Sequence, residues 1–335
     1  MAPSFLSFAS LYGVYLRRCF ASSGLTSQST DIDDETTIHL WAPKPDQTTQ
    51  ERKPVLVLLH GFGPSAIWQW RRQVQFFTPY FQVYVPDLIF FGNSMTKSKE
   101  RSEVFQAVSV GKLMEKLQVK KYHVMGTSYG GFVAYHMAKM WPDKVEKVVI
   151  ASSGVNMSKA DNMALLKRSN LENIEDFMLP ETATQLRTLT RLAVSKRMIA
   201  MIPDFFLNDF VNQLYSENRK EKLELLKGVT LVQGDDTVKL APLQQVHPPP
   251  FSHNIPNVCK FPCSYQFYQQ QPDLDVLLVW GDQDQIFPLK MAYELKELLG
   301  KQARLEVIPN TSHVPQIENS AQFNNIVKGF LCGSF

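Results

Sequence analysis

The sequence predicts an α/β protein: a doubly wound, mostly parallel sheet with an inserted helical subdomain. Short apolar runs alternate with segments of helical period along most of the chain, and the runs end in turns rich in Gly, Pro and Asp. The alternation stops after Gly154, gives way to helical periods, and resumes at Val276.

Taken in order, Thr37 to Trp41 reads as a short strand, and Val55 to Leu59 as a strand buried on both faces, since five apolar residues run together. A helix from Ile67 to Phe77 and a strand from Val83 to Val85 follow. Val104 to Leu117 is helical, Tyr122 to Met125 a strand, Phe132 to Met140 a helix, and Val148 to Ile150 a strand. The core's first part is thus 36–155 and a helical cap covers 156–237. The second part, 274–335, holds the strand Val276–Trp280, a helix from Leu289 to Leu299, the strand Leu305–Ile308 and a last helix from about Gln322 to Leu331. Residues 238–273 show neither period. They carry Pro248-Pro249-Pro250 and Gln269-Gln270-Gln271, and read as a disordered, dispensable insertion, with a lid as the competing reading.

Residues 1–35 read as an amphipathic helix and linker. Phe5, Phe8, Tyr12, Tyr15 and Leu16 form one stripe, with Arg17 and Arg18 in the helix's last turn. The stripe is too short to span a bilayer, so the helix is expected to dock on the core or touch a membrane surface. Two arginines, seven serines and no acid in the first 30 residues also resemble an organelle transit peptide. The expected compartment is the cytoplasm, with membrane association through this helix and organelle import as the competing reading.

A net charge of +3 over 335 residues, without basic runs, gives no footprint for nucleic acid. Cys19, Cys259, Cys263 and Cys332 are too scattered for a disulfide framework. Cys259 and Cys263 follow His247 and His253 but match no common zinc spacing, so no metal site and no cofactor is implied.

Chemistry enters at Gly126-Thr127-Ser128-Tyr129-Gly130-Gly131, where a strand ends and a helix begins. G-x-S-x-G holds a serine on a sharp turn with its hydroxyl clear of the sheet, and the flanking glycines leave room for that turn. His60-Gly61-Phe62-Gly63 closes an earlier strand. Acyl transfer needs two backbone donors for the oxyanion, and the candidates are the N–H groups of Phe62 and Tyr129. A base must follow in chain order, and His313 lies in a polar loop beyond the last strand. The acid comes from Gly281-Asp282-Gln283-Asp284; charge alone admits Asp284 and Asp282, with Asp235 and Asp236 a distant third.

The chain resembles the α/β-hydrolase superfamily over about residues 36–332, apart from the insertion, and is most similar to plant-type monoacylglycerol lipase-like hydrolases. That resemblance aligns a W-G-x-x-D-x-(I/V)-x-P stretch with Trp280 to Pro288 and makes Asp284 the acid. It aligns a G-H-x-x-x-x-E stretch with Ser312 to Glu318 and makes His313 the base. The chain departs from the pattern at Phe90, where relatives carry glycine, at Thr127, where many carry His, and at Ser312, also usually glycine. These readings imply a serine hydrolase that cleaves lipid-like acyl esters such as monoacylglycerols through an acyl-enzyme. A carbon–carbon bond hydrolase and a slowly turning ligand receptor of the same fold are the alternatives. Phe177, Met201, Phe205 and Phe206 of the cap are the candidate acyl-binding side chains.

Overall fold

A computed structural model describes residues 7–44, 53–195, 202–229, 240, 243 and 274–333. Its nine strands form one sheet: β1 (Leu25–Asp31), β2 (Thr36–Pro43), β3 (Val55–Leu59), β4 (Gln82–Pro86), β5 (Met95–Thr96), β6 (Tyr122–Thr127), β7 (Val145–Ala151), β8 (Val276–Gly281) and β9 (Ala303–Ile308). They lie in the order β1-β2-β4-β3-β6-β7-β8-β9, with β5 paired beside β2. From β4 to β9 every pairing is parallel, whereas β1, β2 and β5 pair antiparallel. The central strands β6 and β8 are buried along their whole length, as continuous apolar runs covered on both faces require.

β1 lies inside the segment read as helix and linker. Leu-Thr-Ser-Gln-Ser-Thr-Asp carries no apolar run because the strand is an edge: Leu25 is buried and the rest alternates between half-buried and exposed.

Seven helices cover the two faces of the sheet: α1 (Phe8–Ser22), α2 (Ile67–Phe77), α3 (Glu103–Lys116) and α4 (Tyr129–Met140), and after the cap α10 (Leu289–Leu299), α11 (Pro315–Glu318) and α12 (Ser320–Cys332). Between β7 and β8 the cap contributes α5 (Lys159–Ser169), α6 (Ile174–Met178), α7 (Ala183–Ala193), α8 (Asp204–Leu214) and α9 (Arg219–Lys227). Two of the large buried clusters lie on opposite faces of the sheet, one reaching into the cap and the other under α1, α2 and α12.

Helix α1 docks, and of the stripe its spacing suggested Leu16 and Tyr12 face the core while Phe8 and Tyr15 do not. Ala9, Gly13, Leu16 and Phe20 turn inward, where Ala and Gly permit close approach to Trp68 of α2, while Phe8 and Tyr15 stand half exposed. The helix also runs to Ser22, so Arg17 and Arg18 fall before its last turn. It bridges cap and core: the Ser7 hydroxyl and the Ala9 N–H donate to Asp209 of α8, and Tyr12 packs on Trp68.

Most of the 238–273 stretch lies outside the described residues. The exceptions, Leu240 and Leu243, pack against the core. Leu243 is buried and its carbonyl accepts the Leu274 N–H at 3.0 Å, so at least this part of the segment contributes apolar burial.

Candidate active site

β6, a central strand, delivers Ser128 just past its carboxyl end with φ 51° and ψ −120°, a left-handed backbone that costs a non-glycine residue about 1–3 kcal/mol. The surroundings hold it there. The Ser128 N–H donates to Ala151 O at 2.9 Å, and its carbonyl accepts the Gly131 N–H and the Ser153 hydroxyl. A Cβ at Gly126 would fall 2.0 Å from Gly130 O, and one at Gly130 would fall 2.2 Å from Leu59 O. The elbow therefore closes only with glycine at both positions. Tyr129 opens α4, so its N–H is one of the four with no partner inside the helix.

The acid and base candidates meet beyond β8 and β9. Asp284 Oδ2 lies 3.1 Å from His313 Nδ1, and Asp284 Oδ1 accepts the N–H groups of Ile286 and Phe287 at 2.9 Å each. A carboxylate accepting at Nδ1 leaves Nε2 as the nitrogen able to take a proton. Of the two aspartates that charge alone admitted, Asp282 is exposed and its Oδ1 accepts the Thr311 N–H at 3.3 Å. Asp235 and Asp236 lie outside the described residues.

Glu318, quoted above only as part of a motif, has a definite task. Its Oε1 accepts the Ser312 N–H at 2.7 Å, while Oε2 accepts the N–H of Ser195 at 2.9 Å and the Ser195 hydroxyl. It thus ties the histidine loop to the cap just after α7. The Ser312 hydroxyl reaches Leu192 O at 2.9 Å and Gln283 O at 3.1 Å, a second tie to the cap and one to the acid's loop.

The loop carrying Phe62 abuts the serine: a Cβ on Gly61 would sit 3.0 Å from Ser128 Cβ. His60 Nε2 accepts the Leu88 N–H at 2.9 Å, so Nδ1 bears the proton and donates to Gly61 O at 2.8 Å. Full burial pushes its pKa below the ordinary value and keeps the ring neutral. The Phe62 ring packs edge-on against Phe91 and Tyr129.

Above Ser128 and His313 opens a cavity of about 450 Å³ between core and cap. Its described lining is mostly Leu, Ile, Met, Val and Phe, with Gln69, Asn162, Thr190 and Gln316 among the polar exceptions and no Asp, Glu, Lys or Arg. Of the four acyl-binding candidates, the three that are described all lie outside this lining. Phe177 is fully buried in the cap–core packing, because Ile174 and Met178, one turn apart on α6, take the cavity side. On α8 the cavity stripe is Leu207, Phe210 and Leu214. Phe205 is 66% exposed, and Phe206 turns to Phe8 of α1. Met201 lies outside the described residues.

Residues 54–320 match the α/β hydrolase fold family, and the chain belongs to it. Relatives include a 2-hydroxy-6-oxononadienedioate/2-hydroxy-6-oxononatrienedioate hydrolase of Pseudomonas putida, 24% identical over 286 residues that span 84% of this chain and 89% of that one. Among solved structures, a putative lipase from Acinetobacter baumannii is 21% identical with a TM-score of 0.72, covering 96% of each chain. A bacterial membrane phospholipase A is 20% identical with a TM-score of 0.70, covering 97% of this chain and 90% of that one. At such identities the structural likeness speaks for the fold. The chain is an enzyme of the hydrolase class with a serine at its elbow.

Proposed function

We propose that this hydrolase cleaves carboxylic esters of apolar acyl groups, monoacylglycerols among them, through Ser128, His313 and Asp284. The observation that carries the reading is the floor of the cavity: the elbow serine and His313, backed by Asp284, line a mostly apolar chamber. Ser128 Oγ attacks the ester carbonyl while His313 Nε2 takes its proton. The carbonyl oxygen becomes an oxyanion held by the N–H groups of Phe62 and Tyr129, and the α4 N-terminus adds its positive potential. His313 then protonates the departing alcohol, and water, activated by the same imidazole, frees the acid.

Peripheral contact with a lipid surface belongs to this reading. The outer face of α1 exposes Phe8, Leu11 and Tyr15, with Arg17 and Arg18 following, and among the described residues no helix is long and apolar enough to cross a membrane. A cytoplasmic setting at such a surface is part of the same proposal.

Relatives favour one second reading, hydrolysis of a carbon–carbon bond, since the Pseudomonas putida relative and others are meta-cleavage-type hydrolases. The named substrate of that relative is a dicarboxylate, whereas the described lining here carries no cation. Fluorophosphonate labelling, abolished in Ser128→Ala, followed by rates on esters of increasing acyl length, tests the proposal. Turnover of a dienedioate with no turnover of any ester would replace it by the carbon–carbon reading.

A further inference from the structure

The acyl-transfer reading assigns one oxyanion donor to the Phe62 N–H, and the inference drawn from Gln69 rests on that assignment. Gln69 lies in the first turns of α2, half-buried, at the edge of the cavity. Its side-chain amide faces a single residue, Gly61, and bonds it twice. Gln69 Oε1 accepts the Gly61 N–H at 2.8 Å, and Gln69 Nε2 donates to Gly61 O at 3.2 Å. The pairing copies one rung of a β-ladder, with a side chain replacing the neighbouring strand.

We infer that Gln69 is a positioning residue for the oxyanion hole, fixing the Gly61–Phe62 peptide so that the Phe62 N–H faces the reacting carbonyl. The Gly61 carbonyl and the Phe62 N–H belong to one planar, trans peptide unit, in which C=O and N–H point in opposite directions. Anchoring the carbonyl therefore aims the N–H. Two donors anchor it, Gln69 Nε2 and His60 Nδ1, and they approach from different elements. A carbonyl that accepts two hydrogen bonds also polarises its peptide, which strengthens the N–H on the far side.

His60 alone does not suffice for this. Its bond to Gly61 O is made to the adjacent residue and moves with the loop, although Leu88 steadies the ring. Gln69 is fixed in a helix that packs on the core through Trp70, Val74 and Phe77. The loop is held against that rigid body, and the glycine at 61 is what lets the peptide close on Ser128. No carboxylate or ammonium group could replace the amide, since the site requires an acceptor and a donor side by side.

Two variants test this in the full chain. Gln69→Met keeps the length and loses both bonds. Gln69→Glu keeps the acceptor and sets a carboxylate oxygen against Gly61 O at neutral pH. On a soluble short-chain ester, Gln69→Met is expected to lower kcat by about tenfold to a hundredfold, short of the loss seen when an oxyanion donor is deleted outright, while KM stays within about threefold. Gln69→Glu should be slower still at pH 8. Its rate relative to the unmodified enzyme should rise as pH falls towards 5, because a protonated carboxyl again offers one donor and one acceptor. A merely structural role would not restore activity on protonation. A peptidyl or alkyl trifluoromethyl ketone, which forms a charged tetrahedral adduct with serine, should lose affinity by the same factor as kcat. If both variants match the unmodified enzyme in kcat, or lose KM and kcat alike with no recovery at low pH, the inference is wrong. If the unmodified chain shows no esterase turnover and no fluorophosphonate labelling, the ester hydrolase reading fails first, and this inference with it.

Discussion

Asp284 holds His313 with one carboxylate oxygen, 3.1 Å from Nδ1, and spends the other on the two backbone N–H groups of its own turn. The side chain is fully buried, so neither oxygen has water to fall back on. Ser128→Ala and His313→Ala are expected to lower kcat by about a millionfold, and Asp284→Asn by about ten-thousandfold, because triad members act as a unit with the acid somewhat less costly. Asp282→Asn should stay within about threefold of the unmodified rate. Steady-state kinetics on one ester decides it, and a damaging Asp282→Asn beside a harmless Asp284→Asn would reverse the assignment of the acid.

Glu318, at the end of α11, acts on the loop that carries His313. It gathers the N–H groups of Ser312 and Ser195, one beside the imidazole and one at the end of α7. Glu318→Gln turns an amide –NH2 towards one of these donors and should let the loop shift. A displacement near 1 Å at a reacting group can cost about a hundredfold in rate, so kcat should fall by about tenfold to a hundredfold. Fluorophosphonate labelling should slow in parallel. Unchanged kinetics together with a lowered Tm would show the carboxylate to be structural only.

Stability should decline in mild acid. Burial, then the nearby Lys147, pushes His123 down to about 4, and burial lowers His60 as well. Both rings are held neutral when folded and take up a proton at about pH 6.5 when unfolded. The unfolded state therefore binds more protons between these values, and stability falls as pH drops from about 6.5 towards about 4. His123 alone should account for about 2 kcal/mol between pH 7 and pH 5. In His123→Phe, whose ring would keep the contact with Phe81, urea unfolding at the two pH values should show that much less difference. An equal difference in both proteins would remove His123 as a cause.

The exposed face of α1 should carry the protein onto lipid. Vesicles containing anionic lipid should retain the unmodified protein on flotation and release it with Leu11→Glu, with release also expected in about 0.5 M salt as screening weakens the arginines. Turnover of a soluble ester should be unchanged in that variant, since Leu11 is 60% exposed and points away from the core. Retention of Leu11→Glu equal to the unmodified protein would exclude this face.

Much of the core could be read from the residues because its strands are covered on both faces. Val55–Leu59 and Val276–Trp280 are runs that only a buried parallel sheet accommodates, and the glycines around Ser128 mark a turn that closes with nothing larger. The turns that end such runs also supplied the candidate serine, aspartate and histidine in that chain order. What depended on contacts between distant segments was not legible. β1 is polar because it lies at an edge, and only its pairing with β2 makes it a strand. The faces of α1, α6 and α8 follow from what they pack against, so composition named Phe177, Phe205 and Phe206 while tertiary packing chose Met178, Leu207 and Phe210. Gln69 reads as one more polar position on a helix and Glu318 as the end of a motif; what each holds follows from the turns that set Gln69 against Gly61, eight residues away, and Glu318 against Ser312, six away. The sequence determined which groups can react; the tertiary structure decided which others hold them in place, because that depends on distances of 3 Å that no local spacing encodes.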